Sequence, residues 1–322
     1  APRMRAAEEA GVDVITGAHV DMLFADAQDR VTGVRVQRLN GSVETVGCDA
    51  LVLATCGFGA NEEMVKEFIP SFGSASYYRY FGHEGNEGEG IRWGQELGGA
   101  LGSMDAFQGY GALAGAYGII VNYDLVMRGG ITVNTLGERF SNENLDISAQ
   151  SLNVLRQPDG IGWIIFDDAR RELAVDLPEF QDLTALGAFK TAATVAELAE
   201  AIKVPADTLA ETLAETRRLA AGEGTCPFGR DFTLNAPLSE GPFHSIQTTG
   251  ALFHTQGGLK VDGRAQVLRG DGTTLPNLFA SGGAAESISG GHCDGYLPAA
   301  GLCMAVTLGM LAGDAAARQA AA

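Results

Sequence analysis

The sequence predicts an α/β protein in which one sheet domain is interrupted by an inserted α+β domain, and three observations lead there. Segments rich in β-branched residues cluster at the two ends of the chain, before about residue 60 and after residue 243. Between residues 106 and 243 helix-like and strand-like stretches mix. The chain closes on an apolar, alanine-rich stretch that reads as one helix. The expected parts are therefore 1–105, 106–243 and 244–322, with functional sites at the seam between them.

The elements follow in order. The opening APRMRAAEEAG reads as the end of an amphipathic helix stopped by Gly11. Residues 13–25, 31–39 and 43–59 read as strands separated by the turns AQDR and NGS, the last a continuous apolar run suited to burial on both faces. A helix is expected from Asn61 to Pro70, where proline ends it, and a second over 88–101 behind a glycine-rich entry. GITVNTLGERFSNE reads as a hairpin turning at Leu136-Gly137, and GIGWIIFDD as a further strand. Helices are expected over 193–202 and 205–222, the latter opened by Pro205 and stopped by Gly222. Strands return at 244–249, 258–262, 265–269 and 278–281, before the last helix from about Ala299 to Ala321.

Composition excludes several functions. A formal net charge of −18 leaves no basic stripe to neutralise phosphates, which argues against nucleic acid and anionic membranes as partners. No stretch reads as the roughly 20 apolar residues needed to cross a bilayer. The five cysteines are scattered, with no CxxC pair, which points to reduced thiols in a cytoplasmic setting and gives no metal site.

Four blocks taken together carry a resemblance: DALVLATCGFGANEEM from Asp49, GNEGEGIRWGQELGGAL from Gly85, TVNTLGERFSNE from Thr132, and LFHTQGGLKVDGRAQVL from Leu252, continued by LPNLFASGGAAESISGG and GYLPAAGL. In this order, over essentially the whole chain, they resemble the flavoprotein family of soluble fumarate reductases and ketosteroid dehydrogenases. The resemblance implies a split FAD-binding domain with an inserted substrate-capping domain, the flavin lying between them. It implies that Val20, Ala54, Thr55 and Gly57 lie toward the adenine side, and that Gly258 also belongs to the cofactor site. By the same resemblance the turn Ser281-Gly282-Gly283 runs along the ribityl and pyrophosphate, and Ala300, Gly301 and Leu302 meet the pyrimidine end. Unpaired N–H groups at a helix start favour an electron-rich ring edge, which supports that last placement independently.

The departures carry information as well. The family's first strand, GxGxxG turn and helix are not among these residues, and GFGANE from Gly57 is no substitute. Either a longer chain or a separate chain is expected to supply that ADP-binding segment. Cys56 stands where a glycine is usual, and Gly282-Gly283 stands where many relatives have Gly-Glu, which moves one contact to Glu286.

The substrate reading rests on cations. The family's proton-donating arginine aligns at about Ile147, its carboxylate-binding arginine at about Cys293, and one histidine at Tyr110, while His254 is kept. Each lost cation removes charge-assisted hydrogen bonds worth about 1.5–3 kcal/mol. What remains is apolar and tyrosine-rich: Phe107, Tyr110, Phe253, Tyr296 and Leu297. Tyr296 resembles the tyrosine with which ketosteroid dehydrogenases polarise a ketone, and a phenol is a neutral donor at pH 7.

The expected activity is therefore FAD-dependent desaturation of a small apolar ketone, or reduction of an enone. Tyr296 steadies the oxygen and His254 or Tyr110 handles the proton, with a further protein as electron-transfer partner. Two alternatives stand beside it: a reductase of an unsaturated carboxylate using Arg128 or Arg139, and a flavin-free fragment or partner-dependent subunit. His292 beside Asp294 is expected to be a solvated loop, and Asn142 with Glu143 to fix the clamp loop.

Overall fold

A computed structural model describes residues 2–73 and 79–321. Near the start, Ala18–Ala25, Val31–Arg38 and Val43–Gly47 form a three-stranded antiparallel sheet. The first strand begins at Ala18, later than its sequence pattern suggests, because Gly17 has a φ of 63° and breaks the extended run.

A second small sheet carries the site. Leu51–Leu53 lies parallel to Thr274–Ala280, which pairs on its other edge with Gln266–Leu268. The helix Ala300–Ala320 covers it through Leu308, Leu311, Ala312 and Ala315, packed with Phe279 and Ala265. Asn277, fully buried, joins the two sheets: its amide accepts from the Val31 N–H and donates to the Val31 and Asp49 carbonyls, each at 2.8 Å.

That terminal helix corrects one expectation. By length and composition alone it is long and apolar enough to cross a membrane, with a mean hydropathy of 1.5. Its alanines and glycines look bland one by one but sum to an apolar segment, and Leu302, Val306 and Met310 are exposed along it.

The middle of the chain builds a seven-stranded sheet around one long strand, Phe243–Thr255. Phe107–Ala114 and Ile161–Asp167 flank it on either side, Ile119–Ile120 and Ile131–Val133 lie outside these, and Arg79–Tyr80 and Lys190–Ala192 also pair with it. The strand runs past residue 243, the boundary expected from sequence, and pairs as far as Thr255 with the strands Ile161–Asp167 and Phe107–Ala114. The strand Phe107–Ala114 is hard to see in FQGYGALA because its glycines look like loop. They are there for packing. The helix Ile147–Leu155 lies so close that a Cβ on Gly109 would fall 2.1 Å from Ser151 Oγ, and one on Gly111 2.7 Å from the Gln150 backbone. Pro70 likewise opens a short helix, Pro70–Gly73, directly after Glu62–Phe68, as proline does at a first helical position.

A buried ion cluster holds this inserted section together. Arg139 meets Glu143 at 2.6 Å and Arg230 meets it at 2.9 Å, with all three side chains at most 4% exposed. Both guanidiniums also sit over the Phe232 ring. Burial alone raises the Glu143 pKa, but the Arg139 hydrogen bond and the two positive charges outweigh it and hold the carboxyl below the usual range. The cluster therefore loses its balance when one member is removed. Glu143→Gln is expected to cost about 3–5 kcal/mol in denaturant unfolding, because two buried cations lose their counter-ion; a loss under about 1 kcal/mol would contradict this account.

Candidate functional site

Two parallel strands open their carboxyl ends side by side, which is where an α/β sheet leaves a crevice for a ligand. Leu51–Leu53 runs on into Ala54–Gly57, and Thr274–Ala280 runs on into Ser281–Gly283. The two loops touch backbone to backbone: a Cβ on Gly283 would fall 2.8 Å from the Gly57 nitrogen. A Cβ on Gly57 would in turn fall 2.1 Å from Thr255 Oγ1, the atom that accepts the Phe58 N–H. Bare backbone is required at both positions. Cys56, directly before Gly57, has a φ of 61°, a conformation glycine adopts without strain.

The crevice is a cavity of about 400 Å³ lined by Ala54, Cys56, Gly57, Ser281, Gly282, Gly283, Gly301, Leu302 and, from the long strand and the residue after it, His254, Thr255 and Gln256. Gly301 and Leu302 open the terminal helix, and their N–H groups have no hydrogen-bond acceptor among the described residues. They leave the positive end of a 21-residue helix facing the cavity.

His254 arrives at the end of the long strand Phe243–Thr255. Its Nδ1 lies 3.3 Å from the Thr255 carbonyl and from Gln256 Nε2. Burial lowers its pKa, partly offset by the Thr255 contact, so the ring is neutral at pH 7. Tyr296 stands edge-on to it with ring centroids 6.0 Å apart. Burial raises the Tyr296 pKa and the Ala299 N–H opposes this, so the phenol keeps its proton. A neutral donor and a neutral acceptor thus stand together, His254 on the cavity wall and Tyr296 beside it but not itself among the lining residues.

The other residues singled out from sequence are distributed as follows. Ala54, Gly57, Ser281, Gly282, Gly283, Gly301 and Leu302 line the cavity, whereas Thr55, Gly258 and Ala300 stand behind its wall. Thr55 Oγ1 is buried without a partner, Gly258 packs on the Ala285 backbone, and Ala300 is 2% exposed. Val20 faces a separate groove with Asn61, Glu87, Arg92 and Trp93.

Tyr110 is directed away from the cavity. Its hydroxyl donates to the Val121 carbonyl at 2.7 Å, and its ring stacks on Phe253. Burial raises its pKa further. Phe107 is fully buried against Phe72, and Leu297 is exposed. Glu286 is not among the cavity-lining residues, and its carboxylate accepts from Ser103 at 2.7 Å. His292 pairs with Asp105 at 2.5 Å in place of Asp294. Arg139 is spent on Glu143, and Arg128 is exposed at the end of the short helix Asp124–Met127.

Sequence reasoning missed Tyr80, whose hydroxyl accepts from Asn86 Nδ2 at 2.7 Å and whose ring lies against Gly59 and Gly82 on the cavity wall. The glycines flanking an aromatic run were the available signal.

These features fit a flavin. A planar ring system needs close backbone on one face, which the glycine loops provide, and free N–H groups at its polar edge, which Gly301 and Leu302 provide.

Comparison with known proteins agrees. The family described as FAD binding domain matches residues 1–303. A fumarate reductase (cytochrome) of Shewanella frigidimarina is 30% identical over 92% of this chain and 50% of its own length. The open conformation of a flavocytochrome c3 fumarate reductase superposes with a TM-score of 0.79 at 26% identity, over 98% of this chain and 54% of the other. The 3-ketosteroid-delta4-(5alpha)-dehydrogenase from Rhodococcus jostii RHA1, in complex with 4-androstene-3,17-dione, gives 0.75 at 26% identity, over 98% of this chain and 62% of the other. The chain spans about half the length of the curated fumarate reductase it matches. It belongs to the FAD binding domain family of oxidoreductases, whose cofactor is FAD.

Proposed function

We propose that this chain forms the flavin and substrate site of an enzyme that desaturates a small apolar ketone next to its carbonyl, or reduces the corresponding enone. The observation that carries the reading is the pair at His254: this neutral histidine lines the cavity with no arginine or lysine beside it among the described residues, and the neutral Tyr296, itself off the cavity wall, stands edge-on to it. A dicarboxylate held there would find no charge-assisted partner. The two arginines considered for an unsaturated carboxylate lie elsewhere, Arg139 in the ion cluster and Arg128 on the surface.

FAD, when bound, supplies the two-electron exchange with the carbon β to the carbonyl. Tyr296 donates a hydrogen bond to the carbonyl oxygen and stabilises the negative charge that develops there. His254, neutral through burial, accepts the α-proton in desaturation and returns it in reduction. Tyr110 is free for neither role, since its hydroxyl is bonded to the Val121 carbonyl. We further propose that an electron-transfer partner and an ADP-binding segment, from a longer or a second chain, complete the enzyme. All five cysteines are free thiols, which fits a cytoplasmic setting.

In the flavin-loaded full-length protein, Tyr296→Phe is expected to lower kcat for a cyclic enone about 100-fold or more with the flavin spectrum unchanged. Turnover equal to the parent's would remove Tyr296 from the mechanism. For desaturation, protonation of His254 should switch the rate off only in acid, so the acid limb of kcat/KM should have its midpoint below about 6.5, the ordinary imidazole value. A midpoint above that value would argue against a buried histidine as the base.

A further inference from the structure

A second cavity, of about 410 Å³, lies at the other end of the long strand from His254. Phe166, Phe180 and Phe189 form its wall, with the Phe180 and Phe189 rings stacked at 4.5 Å and Phe166 edge-on to both. Its volume and its mixed lining, three phenylalanines beside polar groups, are those of a small-molecule site. Four polar side chains border it: Arg171, Thr184, Thr191 and His244.

Three of the four are already engaged within the protein. Thr184 donates to the Phe180 carbonyl at 2.8 Å. His244 uses both ring nitrogens, Nδ1 at 3.0 Å from Thr191 Oγ1 and Nε2 at 2.8 Å from Asp168. That relay fixes the imidazole and leaves it no free nitrogen for a ligand. Arg171 remains, with Glu172 at 3.9 Å as its ion-pair partner and a side chain 40% exposed. The bordering groups therefore call for a flat apolar body with one anionic group, met by a guanidinium that can fork onto two oxygens.

We propose that this cavity binds a small aromatic carboxylate, at a site separate from the flavin cavity. The ring lies against the stacked pair Phe180 and Phe189 from the cavity side, and the carboxylate is held by Arg171 at the mouth. Recognition of this kind is independent of the ketone chemistry above, and the site stands or falls without it.

Benzoate is the probe, followed by saturation-transfer NMR and titration with the flavin-loaded protein. Saturation transfer to benzoate is expected, with benzyl alcohol, its neutral counterpart, bound at least tenfold more weakly. Arg171→Gln is expected to weaken benzoate at least tenfold while leaving flavin-dependent turnover unchanged. Arg171→Lys, which keeps the charge but not the fork, should fall between the two. No saturation transfer to benzoate, equal affinity for benzyl alcohol, or equal benzoate affinity in Arg171→Gln with the circular dichroism spectrum retained would each overturn the proposal.

Discussion

The contact between the Gly283 and Gly57 backbones is the constraint on which the site depends. Two loops leave neighbouring parallel strands and meet with no room for a side chain between them. That closeness lets the start of the terminal helix approach the same space and present the Gly301 and Leu302 N–H groups to it. Thr255 locks the third wall, since its hydroxyl accepts the Phe58 N–H while filling the space a Gly57 side chain would need. Because Thr255 ends the long strand of the inserted section, the substrate side and the cofactor side share one rigid connection.

The distribution of charge follows the same division. Among the described residues, the inserted section buries charged side chains only with partners: Arg170 meets Asp167 at 2.7 Å, and Arg139 and Arg230 are spent on Glu143, with their planes resting on Phe232. The flavin cavity keeps polar groups that are neutral: Tyr80, Asn86, His254, Thr255, Gln256, Ser281 and Ser287. Burial enforces that neutrality at His254, because the charged imidazolium would lose its hydration there. This neutrality is what supports the proposal of an uncharged carbonyl substrate.

Much of this was legible in the sequence. Apolar runs followed by glycines marked both strand ends of the crevice, and the glycine- and proline-rich approach to Ala300 marked the helix start. Residues whose role depends on direction were harder to read. Tyr110 has the right type and spacing for a pocket, but its hydroxyl points to Val121 on the neighbouring chain segment. Glu286 has the right charge, yet Gly102 and Ser103 draw its carboxylate behind the wall. Tyr80 comes from far along the chain and joins the wall through a two-residue strand too short for any periodic pattern. The sheet to which residues after 243 belong was hard to read for a related reason. A strand's own residues do not say which sheet it joins, and Phe243–Thr255 joins the inserted one.

The central claim is that the cavity is built for an uncharged carbonyl and not for a dicarboxylate. It is tested most directly by comparing kcat/KM for a cyclic enone and for fumarate in the flavin-loaded full-length protein, with a reduced viologen as electron donor. With no arginine or lysine on the wall among the described residues, the enone is expected to be preferred by about 100-fold or more, the equivalent of two missing charge-assisted contacts. Fumarate reduced as efficiently as the enone, or more so, would contradict the account.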